Sequence, residues 1–399
     1  MKLHYDEETE KFRTELRDWL SKNQPTKAEM DAEPPKSSAH LPDWARAWQL
    51  RLFNAGLLVP GWPKELGGRD ATPIQQLIYF EEFANIGPWR AYNMQGVQII
   101  TPSILDFGTE GQKERFVLPC LRGEITWCLG MSEPGAGSDL AGLSTRADRD
   151  GDDFVINGQK VWTSGAAEAD FCFCFVRTDQ DAPKHKGISV LIIDMKSEGL
   201  EARPLPELTD RHHGDFNEVF FDNVRVPASN LVGKLNDGWR MAAGSLAHER
   251  GMLWTGQCAR IERRLRELVE LGKTQKGPDG KPLNESKKFK EELGELWTSG
   301  QALKFMGYRG FSKFARGEAS PEHSVMKLAC GEMEQNLFLW GAEVTGPRSL
   351  DTHHKRVAYD APAPWARQYL SSFSYTIAGG TSEIQRNIIA QRVLGLPRK

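Results

Sequence analysis

The hydrophobic period of this chain changes twice, and that change limits the folds open to it. From residue 1 to about 125, apolar residues recur at helical spacing, as in Phe12, Leu16, Trp19 and Leu20. Thr72-Pro73 supplies a cap and a first-turn proline ahead of Ile74, Leu77 and Ile78. Pro60-Gly61-Trp62-Pro63 and Gly67-Gly68 read as a tight loop between helices. Beyond residue 125 the apolar residues gather in short strand-like runs: Phe171 to Val176, Ile188 to Ile193 and Val219 to Val226. Asn157-Gly158, flanked by Phe154-Val155-Ile156 and Val161-Trp162-Thr163, predicts a hairpin. No helical pattern of useful length interrupts these runs, so the sheet is expected to be antiparallel, a sandwich or small barrel. From about 237 the helical period returns. Ile261, Leu265 and Leu268 form a stripe with Gly272 as its expected stop, and Thr274 to Lys287 reads as a long exposed connection. Helices then follow through 293–314, 325–340 and 365–376, and a last one carries Ile384, Ile388 and Ile389. The expectation is an α+β chain: a helical domain over 1–125, an antiparallel β-domain over 126–236 and a helical bundle over 237–399.

Composition narrows the function. A chain of 399 residues that is 39% hydrophobic and 26% charged has ordinary globular usage. Its net charge of -3 argues against a nucleic-acid partner. No apolar stretch is long enough to span a membrane and the N-terminus lacks a signal core, so a cytoplasmic location is expected. Six cysteines at 120, 128, 172, 174, 258 and 330 include no C-x-x-C pair. Cys172 and Cys174 alternate on one strand face, which reads as buried apolar surface. His212-His213 and His353-His354 lack the i, i+4 spacing of helical metal ligands, and no metal site is expected.

Three segments carry chemistry. Met131-Ser132-Glu133-Pro134-Gly135-Ala136-Gly137-Ser138-Asp139 stands where helices give way to strands, and its glycines permit close backbone approach to a ligand. It is not a G-x-G-x-x-G dinucleotide fingerprint. Lys160-Val161-Trp162-Thr163-Ser164 offers an indole followed by two hydroxyls, a suitable wall for a flavin. Gly379-Gly380-Thr381-Ser382-Glu383-Ile384-Gln385-Arg386 breaks one helix and opens another, with Ser382 and Gln385 fitting a capping box. Each segment alone has a plain reading: a loop needing positive φ, a core tryptophan, a helix corner.

In this order and at these separations, the three segments resemble the acyl-CoA dehydrogenase family over nearly the whole chain. Gly61-Trp62-Pro63 and Phe216 to Pro227 are also similar to its habitual segments. The resemblance implies a helix–sheet–helix fold, bound FAD and α,β-dehydrogenation of an acyl-CoA thioester. It implies that Leu129, Gly130, Met131, Ser132 and Gly137 line the flavin and that Ser138 also lies near the thioester's pantetheine or pyrophosphate. Trp162 and Thr163 would pack at the isoalloxazine, with the Ser164 hydroxyl facing N5. Gly380, Thr381 and Glu383 would contact the same cofactor, and the Gly379 N–H would donate to the thioester carbonyl. Electrons would pass to an electron-transferring flavoprotein, and a homodimer or dimer of dimers is expected.

Most family members place the catalytic glutamate directly before the Gly-Thr of the last segment, where this chain has Gly379. A minority branch carries it in the first helix of the C-terminal domain. The matching stretch is Leu246-Ala247-His248-Glu249-Arg250, which makes Glu249 the implied base and Arg250 its positioning or substrate-binding neighbour. Two further departures fall at Lys273 to Pro282 and at Glu343-Val344-Thr345-Gly346-Pro347, where the family holds the adenine half of FAD. The pattern looks most like bacterial members acting on bulky or steroid-derived acyl-CoAs. Two other readings stand beside it: a flavin oxidase or monooxygenase of the same fold, and a non-catalytic subunit that completes another chain's site.

Overall fold

The computed structural model describes residues 5–86, 88–209, 214–242, 253–316, 322–350 and 364–397. Their described parts form two compact units, one from residues 19–71 and 88–249, the other from 1–18, 72–87 and 250–399.

The first unit is built on a sheet of β1 (Trp127–Gly130), β2 (Arg146–Asp150), β3 (Asp153–Lys160), β4 (Phe171–Arg177), β5 (Ile188–Asp194), β6 (Leu200–Pro204), β7 (Asn217–Pro227) and β8 (Leu231–Val232). Strand order is β6-β7-β3-β2-β4-β5-β8, with β1 added beside β4. Most pairs are antiparallel, as the short alternating runs predict. The exceptions are β1 with β4, which run parallel from Trp127↔Phe171 to Gly130↔Cys174, and a single parallel bridge, Arg146↔Arg177, between β2 and β4. Parallel neighbours need a long crossover, and the chain between β1 and β4 supplies it through the glycine loop, β2 and β3.

Asn157-Gly158 is not a hairpin. β3 runs straight through it, paired to β2 on one side and β7 on the other, and the β3–β7 register slips between Ile156 and Gly158. Asn157 bulges out, and its side-chain amide exchanges hydrogen bonds with Asn223. The hairpin turn lies earlier, at Gly151-Asp152, closing Asp150 onto Asp153. The same dipeptide chemistry serves a bulge or a turn, and two full-length partner strands decide for the bulge. Gly158 has φ +149, and a Cβ there would lie 2.7 Å from Thr145 Cα.

The sheet's inner face holds Ile156, Leu191, Val219, Val224 and the thiols of Cys128, Cys172 and Cys174 in one buried cluster. All six cysteines are free and buried. Burial pushes the Cys120 thiol up to about 12, which leaves it unreactive.

The second unit is a bundle of helices Leu253–Thr274, Lys287–Phe314, Glu322–Thr345 and Trp365–Ile377. Ile261, Leu265 and Leu268 are buried with Leu303, Met333, Leu337 and Phe338, as their spacing requires. Thr72 caps helix Pro73–Phe83 through a complete capping box with Gln75. Gly272 does not end its helix, which continues to Thr274. A Cβ at Gly272 would sit 2.6 Å from Phe289 Cε1, so the glycine is a packing requirement. The connection after it is folded: Gly277 N–H donates to Lys281 O at 2.8 Å and Leu283 N–H to Gln275 O at 2.9 Å, closing a small hairpin. Gln275 Nε2 also donates to Val344 O, which joins the two segments that depart from the family's adenine-binding pattern. No helix among the described residues is long and apolar enough to cross a membrane.

Gly158→Ala is expected to lower the unfolding free energy by about 1–3 kcal/mol, from overpacking and backbone strain. Urea denaturation of the variant measures this.

Candidate functional site

The glycine loop after β1 is fixed from below by a buried ion pair. Lys160 Nζ at the end of β3 lies 2.8 Å from Glu133 Oε1, and the two side chains are 0% and 4% exposed. Lys160 also donates to Met131 O at 3.1 Å. Glu133 accepts from Ser144 N–H at 2.6 Å, Ser144 Oγ at 2.8 Å and Thr145 N–H at 2.9 Å. Burial alone would raise the Glu133 carboxyl, but the Lys160 charge and these hydrogen bonds outweigh it and hold it down at about 2. Val161 N–H donates to Ser132 O at 2.9 Å, and Glu133 and Ala136 exchange backbone hydrogen bonds across Pro134-Gly135. The loop is therefore a rigid turn locked to a strand end. Gly130 lets β1 close on β4, since a Cβ there would meet Cys172 Sγ at 2.9 Å. Leu129, Met131 and Ser132 are partly exposed along the upper edge, and Gly137 and Ser138 are exposed beyond the turn.

Past Lys160 the chain leaves the sheet in a strained conformation. Trp162 has φ +60, a region costly for a side chain of its size. Its indole is 61% exposed, with an edge contact to Phe216 at 5.8 Å. Outliers of this kind concentrate at ligand sites. The neighbours over-determine it: Thr163 N–H donates to Asn217 O at 3.0 Å and Gly165 N–H to Asp215 O at 2.8 Å. Asn217 Nδ2 donates to Thr163 O at 3.2 Å. Gly165, at φ +72, packs so closely on Ala39 that a Cβ would lie 2.7 Å away. Thr163 is fully buried and its hydroxyl has no hydrogen-bond partner among the described residues. Ser164 stands half-exposed beside it.

In the second unit, Gly379 and Gly380 end helix Trp365–Ile377 at φ +65 and +96. Thr381, not Ser382, is the cap that follows, accepting from Ile384 N–H at 3.2 Å. The expected capping box does not form: with Thr381 as the cap the helix starts at Ser382, and the third helical residue is Ile384, whose side chain cannot return a hydrogen bond. Gln385 instead donates back to Gly379 O at 3.1 Å. Glu383 is exposed, and hydrogen bonds from its own N–H and from Thr381 lower its carboxyl. Among the described residues, no atom lies within 4 Å of a Cβ built on Gly379. Glu249 and Arg250 lie outside the described residues.

Three sequence matches cover nearly the whole chain: the acyl-CoA dehydrogenase N-terminal domain over residues 6–124, the middle domain over 128–224 and the C-terminal domain over 236–394. The chain belongs to the acyl-CoA dehydrogenase family. It is similar to acyl-CoA dehydrogenase IpdE1 of Mycobacterium tuberculosis, 38% identical over 397 residues, which cover 98% of this chain and 99% of that one. The ChsE4-ChsE5 complex from Mycobacterium tuberculosis superposes with a TM-score of 0.82 at 32% identity, covering 100% of both chains. The Tcur3481-Tcur3483 steroid ACAD does so with 0.81 at 28%, again covering 100% of both.

Acyl-CoA dehydrogenases are FAD-dependent oxidoreductases, and the β-domain residues fit that cofactor. A strained indole exposed to 61% and a glycine turn with open space at Gly135 and Gly137 among the described residues adjoin one strand end, which suits a flat ring laid against them. The resemblance singled out Met131 to Ser138 and Lys160 to Ser164 separately; the structure brings them together. Glu133 was not assigned a role, although a glutamate inside a glycine loop two strands from a buried lysine is the signal for one.

Lys160→Met strands the Glu133 charge and is expected to cost about 3–5 kcal/mol. Because the folded carboxyl is depressed from 4.5 to about 2, its stabilising effect is complete above pH 4.5 and is lost as pH falls through about 2. Glu133→Gln combined with Lys160→Met should flatten the acid limb of the stability profile, measured by chemical denaturation from pH 6 down to about 2.

Proposed function

We propose that this acyl-CoA dehydrogenase removes the α-proton of a bulky, steroid-derived acyl-CoA thioester with Glu249 as general base. The observation that carries the reading is the side-chain-free Gly379, held at φ +65, directly before Gly380-Thr381. A φ of +65 favours glycine, so the position that the resemblance gives to the base suits no side chain here, and no described residue comes within 4 Å of a Cβ built there. Removing that side chain enlarges the room for a ring-bearing acyl group and requires a carboxylate from elsewhere. Glu249 occupies the position that the minority branch uses.

Leu129, Gly130, Met131, Ser132, Gly137, Trp162, Thr163 and Ser164 would hold the flavin from the β-domain, and Gly380, Thr381 and Glu383 from the C-terminal helices. FAD, when bound, supplies the acceptor for the β-hydride. Ser138 and Arg250 would bind the thioester ligand. The Gly379 N–H would polarise the thioester carbonyl, an effect worth about 3–4 kcal/mol per well-placed donor. A dry pocket around Glu249 would raise its carboxyl toward working pH.

The proposed electron acceptor is an electron-transferring flavoprotein, and the proposed location is the cytoplasm. The three zones 1–125, 126–236 and 237–399 would fold as the family's three domains. A homodimer or dimer of dimers is proposed, supported by the exposed apolar side chains of Phe373, Ile377, Leu394 and Leu396 on the last helices. A second reading, association with a different chain, draws support from two solved relatives whose names each join two components.

Glu249→Gln keeps volume and loses proton acceptance. Anaerobic stopped-flow with the true thioester should show flavin reduction slowed by about 10²–10⁴-fold, with FAD content unchanged. Reduction at the wild-type rate would remove Glu249 as the base.

A further inference from the structure

The Gly379-Gly380 turn has both carbonyls held from the protein side. Gln385 Nε2 donates to Gly379 O at 3.1 Å, and Lys327 Nζ donates to Gly380 O at 2.6 Å. No cis peptide bond occurs among the described residues. In a trans peptide the N–H points opposite to the C=O of the same unit. Fixing the Gly379 carbonyl therefore aims the Gly380 N–H away from Gln385. Fixing the Gly380 carbonyl likewise aims the Thr381 N–H away from Lys327.

The two faces of the turn differ accordingly. Its inner face is closed, since a Cβ on Gly380 would lie 2.8 Å from Gln385 Nε2. Its outer face at Gly379 has no described residue within 4 Å of a built Cβ. Positive φ angles of +65 and +96 at Gly379 and Gly380 give the turn a backbone path that side-chain-bearing residues rarely adopt. Gln385 is fully buried and Lys327 belongs to helix Glu322–Thr345, whose neighbours Met326 and Cys330 are buried in the bundle core. The pins are thus anchored to rigid structure, while the donors they aim are on a loop.

We infer that Lys327 and Gln385 are positioning residues, which fix the two peptide units after Gly379 and so hold in place the turn whose Gly379 N–H meets the thioester carbonyl. This rests on the proposed dehydrogenase reading, in which that turn meets the thioester. Neither side chain touches the reacting atoms.

The test uses the full-length, flavin-loaded protein with Lys327→Met, Lys327→Arg and Gln385→Met. Binding of cinnamoyl-CoA reports carbonyl polarisation as a red shift of its ultraviolet band. Hydrogen exchange of residues 378–383 without thioester reports the turn directly. Lys327→Met should lose most of the red shift, exchange faster over 378–383 and lower kcat by about 10²-fold with a smaller change in KM. Lys327→Arg should restore the shift. If Lys327→Met does not accumulate folded, Gln385→Met decides by the same readouts. Wild-type shift and exchange in both Lys327→Met and Gln385→Met would overturn the positioning role alone. Absence of any shift in the wild-type protein would instead overturn the thioester reading, and the positioning role with it.

Discussion

The β-domain half of the site depends on one buried ion pair, Lys160 with Glu133. A pair of this kind adds little net stability, because desolvation offsets most of its attraction. Its effect here is specification. Lys160 reaches up from the end of β3 to Met131 O and Glu133, and Glu133 gathers Ser144 and Thr145 at the entrance to β2. One charge cluster thereby fixes three chain segments at a single sheet edge. The turn over Pro134-Gly135 and the exit of the chain toward Trp162 both inherit their positions from it.

Rigidity below permits strain above. Trp162 holds a positive φ only because Val161, Thr163 and Gly165 on either side are tied to Ser132, Asn217 and Asp215. A free loop would relax to a more populated conformation and turn the indole away. The C-terminal turn uses a different device for the same end. There the strain is given to glycines, which bear it at little cost, and side chains from the bundle hold the carbonyls. Each segment sits on an element whose support lies in the packed core of its own unit.

The departures from family pattern also have structural expression. Gln275 contacts Val344, so the two segments that break the adenine-binding pattern are physically joined. The hairpin over 275–283 fills a place that the sequence shows only as a polar connection.

The sequence by itself determined the succession of helices, sheet and helices, because hydrophobic period is a local property that each segment carries in its own side chains. It also determined the segments of chemistry and the missing carboxylate at 379, since residue identity needs no coordinates. Tertiary structure decided what the same local signals become. Asn157-Gly158 is a bulge because strands from both sides hold β3 straight, and Gly272 is a packing contact because Phe289 lies against it. β1 runs parallel because the intervening strands return the chain to the same end of the sheet. The pairing of Glu133 with Lys160 and the carbonyl pins of Gln385 and Lys327 are contacts between residues distant in sequence or hidden within a motif. No propensity encodes them; they exist only once the chain has closed on itself.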